Sequence, residues 1–219
     1  MHIVLIALLA VVVFVIVILA LSTHRPAIYR PVAAPNVPGP VSTYVTHDIA
    51  PTFYNNFQLG EPFEMIIDQN RFNEVIADGS LIGCQWPSDL GGVKFYAPAA
   101  VFATDTIMLM GTIDYAGFPV VITIIMAPAI DADGNLALNL KKIKAGLFSI
   151  TTLARMIGTK VFSSQIRQNP DSDWLKGLSA AFLENTPFEP VFPSYNGKNV
   201  RVSSAAVKPG KIILTFTPE

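Results

Sequence analysis

The chain has 219 residues, a net charge of −1 and only 14% charged residues. That length leaves room for one well-filled domain rather than two. The near-neutral balance excludes the basic field that nucleic acid requires.

Residues 3–21 come first in chain order, and they form a run of nineteen without a charged or strongly polar side chain. As a helix this run is roughly 28 Å long, close to the roughly 30 Å hydrocarbon core of a bilayer. The expectation is an uncleaved transmembrane anchor over residues 1–22. A cleaved signal peptide is the competing reading, since Ala20-Leu21-Ser22 resembles a small-residue cleavage site. Such peptides usually carry a shorter apolar core, about 7–15 residues, behind a basic region. Orientation is open: Arg25 and Arg30 follow the run, which by the positive-inside rule argues for a cytoplasmic domain.

Residues 23–59 change character. Pro26, Pro31, Pro35, Pro38, Pro40 and Pro51 interrupt Ala, Val, Ser and Thr. Proline fixes φ and removes a donor, so an extended, semi-rigid spacer is expected here. Pro35 and Pro38 also satisfy P-x-x-P, a weak docking pattern with no flanking charge.

Residues 60–219 carry the folded domain. A short strand over residues 63–67 leads into a helix capped by Asp68, with Phe72, Val75 and Ile76 on one side and Gly79 beyond its end. Residues 79–92 read as a loop. Pro98 makes residues 93–103 an irregular or edge strand. Asp105 and Ala116-Gly117 supply turns around strands 106–115 and 118–126. Asp131-Ala132-Asp133-Gly134 is a hairpin turn, followed by a strand over 135–144 with Leu136, Leu138 and Leu140 alternating. Together these make an antiparallel meander. Helices are expected over 149–168 and, capped by Asp173, over 174–183. A closing hairpin spans 200–205 and 211–217. The fold class is therefore α+β: a mostly antiparallel β-sheet with helices packed on it, preceded by one N-terminal transmembrane helix.

The residues offer no catalytic set. His2, His24 and His47 all precede the domain, so neither a Ser-His-Asp triad nor a Cys-His pair at Cys84 has its base. Asp131 and Asp133 do not make a calcium loop, because Gly134 falls fourth and Lys142 stands where a Glu is needed. Neither Glu61 with Glu64 nor Asp68 with Glu74 is placed together by any pattern. Lys141, Lys142 and Lys144 read as a solvated strand end or as a contact for lipid headgroups. No metal, cofactor or enzymatic activity is expected.

Apolar excess is the remaining signal. Ile107, Met108, Leu109 and Met110, and Val121, Ile122, Ile124 and Met126, make two strands apolar on both faces. A sheet open to water on one side alternates instead. With Met156 from the following helix, these residues either close a core or line an apolar cavity.

The order of parts resembles the YpmS-like family of bacterial membrane-anchored proteins, over the anchor and roughly residues 60–219. The stretches that carry it are FEMIIDQNRFNEVI, the segment from Thr106 to Ile150, and the closing VRVSSAAVKPGKIILTFTPE. Through that family the chain is distantly similar to tubular lipid-binding domains. The resemblance implies a single-pass protein of the cell envelope with an extracytoplasmic domain that handles lipid or another apolar ligand. It brings no catalytic residues. The long Pro-rich spacer departs from the pattern. Two functions are carried forward: a non-enzymatic binder of a lipid or apolar ligand, and an envelope scaffold that acts through a protein partner.

Overall fold

The computed structural model of the chain describes residues 17, 20–33, 42–79, 85–89, 93–115, 117–152, 154, 173–193 and 198–219. Two antiparallel sheets dominate, with a few helices against them, which makes the class α+β. No helix among the described residues is long and apolar enough to cross a membrane. The expected anchor lies almost wholly outside the described residues, as do Cys84 and most of the expected helix over 149–168.

The first sheet has four strands. Strand β1 (Phe63–Asp68) pairs with β12 (Lys211–Pro218), which pairs with β11 (Asn199–Lys208), which pairs with the edge strand β10 (Val191–Pro193). β11 and β12 form the expected closing hairpin, with Gly210 at φ +78° in its turn. A bulge between Val202 and Ser204 resets which side chains of β11 face inward.

The second sheet has six strands, in the order β2 (Ser88–Asp89), β3 (Lys94–Ala103), β4 (Thr106–Tyr115), β5 (Phe118–Met126), β8 (Leu140–Ala145) and β9 (Phe148–Ser149). The meander read from the sequence is therefore present as β4-β5-β8. The short edge strands β2 and β9 arise where a loop and the start of a helix were expected, and a third element is divided. The strand expected over 135–144 is split: β7 (Leu136–Ala137) forms a separate ribbon with β6 (Ala129–Ile130), and only β8 joins the sheet. Asn139 causes the break. It adopts φ +48°, and its Nδ2 donates to the Ala127 carbonyl at 3.1 Å, which turns the chain between the two pieces. The Asp131 turn closes the small ribbon, with Oδ1 accepting from the amides of Asp133 and Asn135 at 3.0 and 2.8 Å.

Residues 23–59 are not an extended spacer throughout. Tyr44–Ile49 is π-helical and runs directly into α1 (Ala50–Leu59). Pro51 is the second residue of α1, at the junction where the π-helical turns give way to the α-helix. Burial of Phe57 outweighs the proline bias: α1 lays Phe53 and Phe57 over Phe63 and Phe216 of the four-stranded sheet, with ring centroids 5.3–6.0 Å apart. Tyr29, from the segment before the π-helix, also packs on the domain, against the six-stranded sheet.

Helix α2 (Gln69–Asp78) joins the two sheets. Asp68 caps it, with Oδ1 accepting from the amides of Asn70 and Arg71 at 2.8 and 3.1 Å. Among the described residues no strand covers the outer edge of β3 beyond residue 96, because β2 pairs only with Lys94 and Phe95. Side chains from α2 pair with that edge instead. The buried Asn73 donates to the Ala100 carbonyl at 2.9 Å and accepts its amide at 2.6 Å. Gln69 accepts the Phe102 amide at 2.7 Å, and the Gly210 amide of the other sheet donates to the Phe102 carbonyl at 3.0 Å. An otherwise open sheet edge thus becomes the joint between the sheets. Helix α3 (Asp173–Leu183) follows the expected position and buries Ala181 completely.

Candidate functional site

The four-stranded sheet presents one apolar face. Alternation places Met65 and Ile67 of β1 beside Leu214 and Ile212 of β12. The bulge in β11 keeps Val202 and Ala205 on that same face, although an odd number of positions separates them. Phe53, Phe57, Phe63 and Phe216 close one end of the face. At the other end, Val207 packs with Ala100 and Phe102, against Ile67, Phe72 and Ile212.

Between these two clusters lies a groove of about 450 Å³. The sheet contributes Met65, Val202, Ala205, Leu214 and Phe192; Phe53, Ile107, Pro128, Leu136 and Leu138 come from outside it. Every side chain that lines the groove is apolar, and none carries a titratable group. Its volume falls in the range of small-molecule sites, about 300–1,000 Å³. Apolar surface facing water costs about 25 cal/mol per Å², so an apolar occupant is favoured there.

A second apolar hollow of about 280 Å³ lies on the six-stranded sheet beneath α2. Leu109, Ile122 and Ile124 line it with Phe72, Ile76 and Trp86. Gly111 matters here because the Phe95 ring lies directly over it, where a Cβ would collide. The Trp86 indole is held by donation from Nε1 to the Ile76 carbonyl at 2.8 Å. Ile67, Phe72, Ile107, Leu109 and Ile212 pack into one wall between this hollow and the groove.

On the opposite face of the six-stranded sheet, Tyr29 is 3% exposed and packs on Ala99, Met110 and Val121. Its hydroxyl donates to the Ala97 carbonyl at 2.6 Å and lies 2.8 Å from the Thr112 hydroxyl. Ala97, at φ +52° before Pro98, sits where the β3–β4 register shifts. The irregularity expected from Pro98 therefore supplies the carbonyl that Tyr29 uses. Burial pushes the Tyr29 phenol above its ordinary range, against the smaller opposing effects of Thr112 and the Arg25 charge. The Arg25 guanidinium stands 5.0 Å above the ring.

The residues singled out from the sequence thus fall into separate places. Ile107 lines the main groove. Leu109, Ile122 and Ile124 line the second hollow, while Met110 borders it and packs under Tyr29 on the opposite face. Val121 lies under Tyr29, and Met126 is buried. Met108 stands opposite Val101 and Ile125, outside both apolar hollows. Met156 lies outside the described residues. Sequence reasoning missed most of the main groove. Its signal was the alternation of Met65 with Ile67 and of Ile212, Leu214 and Phe216, which reads as an ordinary one-sided strand face.

Two of the acidic residues weighed from the sequence take structural roles. Asp68 is a helix cap, and Glu74 pairs with Arg71 at 3.1 Å. Among the described residues no group of three or more His, Cys, Asp or Glu comes together to hold a metal. Arg201 bridges Glu189 and Glu219 at 2.6 and 2.5 Å, and these bonds to carboxylates raise its already high pKa. Fold and hollows together define a two-sheet α+β domain with an apolar groove. No protein-family model, no curated protein and no solved structure matches the chain.

Proposed function

We propose that this chain is a non-enzymatic, membrane-anchored protein of the cell envelope whose folded domain holds an acyl chain or a similar apolar ligand in the groove of the four-stranded sheet. The observation that carries this reading is the groove of about 450 Å³ lined only by apolar side chains. Each methylene buried there contributes about 0.8 kcal/mol, so a chain of several carbons offsets the cost of binding. With no hydrogen-bonding side chain in the lining, the polar end of such a ligand stays at the groove mouth. A groove without titratable groups supports binding over proton-transfer chemistry. The apolar run over residues 3–21 supports the anchor, and the resemblance to an envelope family favours the extracytoplasmic side.

The test uses the full chain in phospholipid vesicles with a fatty acid that carries a photoreactive diazirine in its tail. After irradiation, mass spectrometry is expected to place adducts on Met65, Ile107 and Leu214. Ala205→Trp fills the groove and is expected to abolish those adducts while circular dichroism stays unchanged. Adducts confined to residues 3–21, or a pattern indifferent to A205W, would overturn the reading.

A further inference from the structure

The segment that follows the apolar N-terminal run is fastened to one end of the six-stranded sheet. The Leu147 amide donates to the Leu21 carbonyl at 3.0 Å. Gly146, at φ +57°, lies so close that a Cβ would collide with the carbonyl oxygens of Leu21 and Ser22. Eight residues after Leu21, Tyr29 is buried and bonded to Ala97 and Thr112. Residues 21–29 are therefore a strap with fixed points at both ends, not a free tether. Wherever the apolar run ends, the Gly146–Leu147 turn sits beside it.

The same end of the sheet carries exposed apolar side chains. β5 and β8 are antiparallel with Ile122 opposite Ala145, so the turn after Ala145 lies alongside the start of β5. Donation from the Gly146 amide to the Val121 carbonyl at 2.8 Å fixes that placement. Phe118, first in β5, is 64% exposed, and Leu147 is 51% exposed. Ile28 is exposed on the strap itself. Arg25 and Lys94 are exposed cations near this end, and Asp114 faces Lys94 across the ladder. The opposite end of β4, at Thr104 and Asp105, is a short polar turn without a large exposed apolar residue.

We propose that this end of the six-stranded sheet is a membrane-contact surface, with Phe118 and Leu147 seated in the headgroup layer of a phospholipid bilayer. The proposal rests on the anchor reading, since Leu21 marks the bilayer boundary only if residues 3–21 lie in lipid. Large apolar side chains beside cations favour that interface, the first by burial and the second by attraction to anionic headgroups. The strap fixes which end of the domain meets the surface.

The experiment places an environment-sensitive fluorophore on the full chain, in a Cys84→Ser background, at Phe118→Cys, Leu147→Cys or Thr104→Cys. Each protein is reconstituted into phosphatidylcholine–phosphatidylglycerol vesicles containing a nitroxide-labelled lipid, and flotation is recorded with quenching. The expected result is several-fold stronger quenching at positions 118 and 147 than at 104, with the difference reduced by Tyr29→Phe. Equal quenching at all three positions in protein that floats with the vesicles overturns the contact surface and leaves the anchor reading standing. Protein that does not float overturns both.

Discussion

Asn73 shows how much one buried side chain can fix. It is 6% exposed, and its amide makes both bonds to the Ala100 backbone. Asn73→Ala leaves a buried N–H and C=O without partners, so we expect a loss of about 2–3 kcal/mol in urea unfolding. Asp68→Ala removes only a solvent-facing cap and is expected to cost about 1 kcal/mol. A smaller loss for N73A than for D68A would mean that the edge of β3 does not depend on this amide. Tyr29 gives a pH prediction. Its phenol is raised in the folded chain by burial, above the unfolded value of about 10. Its contribution is complete below about pH 10, where both states are protonated. Above that, the unfolded chain loses its proton while the folded one resists, so stability falls until pH passes the raised value. Wild type should lose stability more steeply than Tyr29→Phe above about pH 10, read by urea unfolding across pH.

At the scale of elements, local signals succeeded where the chemistry is local. The Asp68 cap, the Asp131 turn and the Gly117 and Gly210 turns were legible because a single side chain or a glycine φ decides each. Residues 44–59 show the reverse. They follow a proline-rich stretch and carry Pro51 themselves, which argues for an extended chain, yet they are helical because Phe53 and Phe57 meet an aromatic surface from β1 and β12. Nothing within residues 44–59 announces that surface. We expect Phe57→Ala to cost about 3 kcal/mol by thermal or urea unfolding, more than an exposed helix position such as Gln58. An effect no larger than that of Gln58→Ala would return this segment to the role of a spacer. The split between β7 and β8 has a similar origin: the leucine alternation continues through Leu138 and Asn139, but the Ala127 carbonyl captures the Asn139 amide and turns the chain.

The whole molecule decides which apolar faces meet. Both faces of β4 and β5 read as apolar, and both find cover, one beneath α2 and the other beneath Tyr29. The groove lined only by apolar side chains opens instead on the four-stranded sheet, whose members lie far apart in sequence. A ligand that binds the folded state alone stabilises it by about 2.7 kcal/mol at a hundredfold excess over its Kd. Full-length protein is therefore expected to melt several degrees higher with a saturating long-chain fatty acid than without. Ala205→Trp should lose that shift while keeping a similar baseline Tm. A shift that survives in A205W would place the ligand elsewhere, with the hollow under α2 as the next location to probe.

The apolar run over residues 3–21 has the length of a bilayer span on composition alone, and the α+β class and most turns follow from period and turn chemistry. Those features depend on neighbours within a few residues. Tertiary structure decided the rest: that the segment after the run is strapped to the domain, that Asn73 and Gln69 pair with an open strand edge, and that Met65, Ala205 and Leu214 face a common groove. Each depends on residues distant in the chain, and an alternating strand is the same in sequence whether its apolar face is filled or left open.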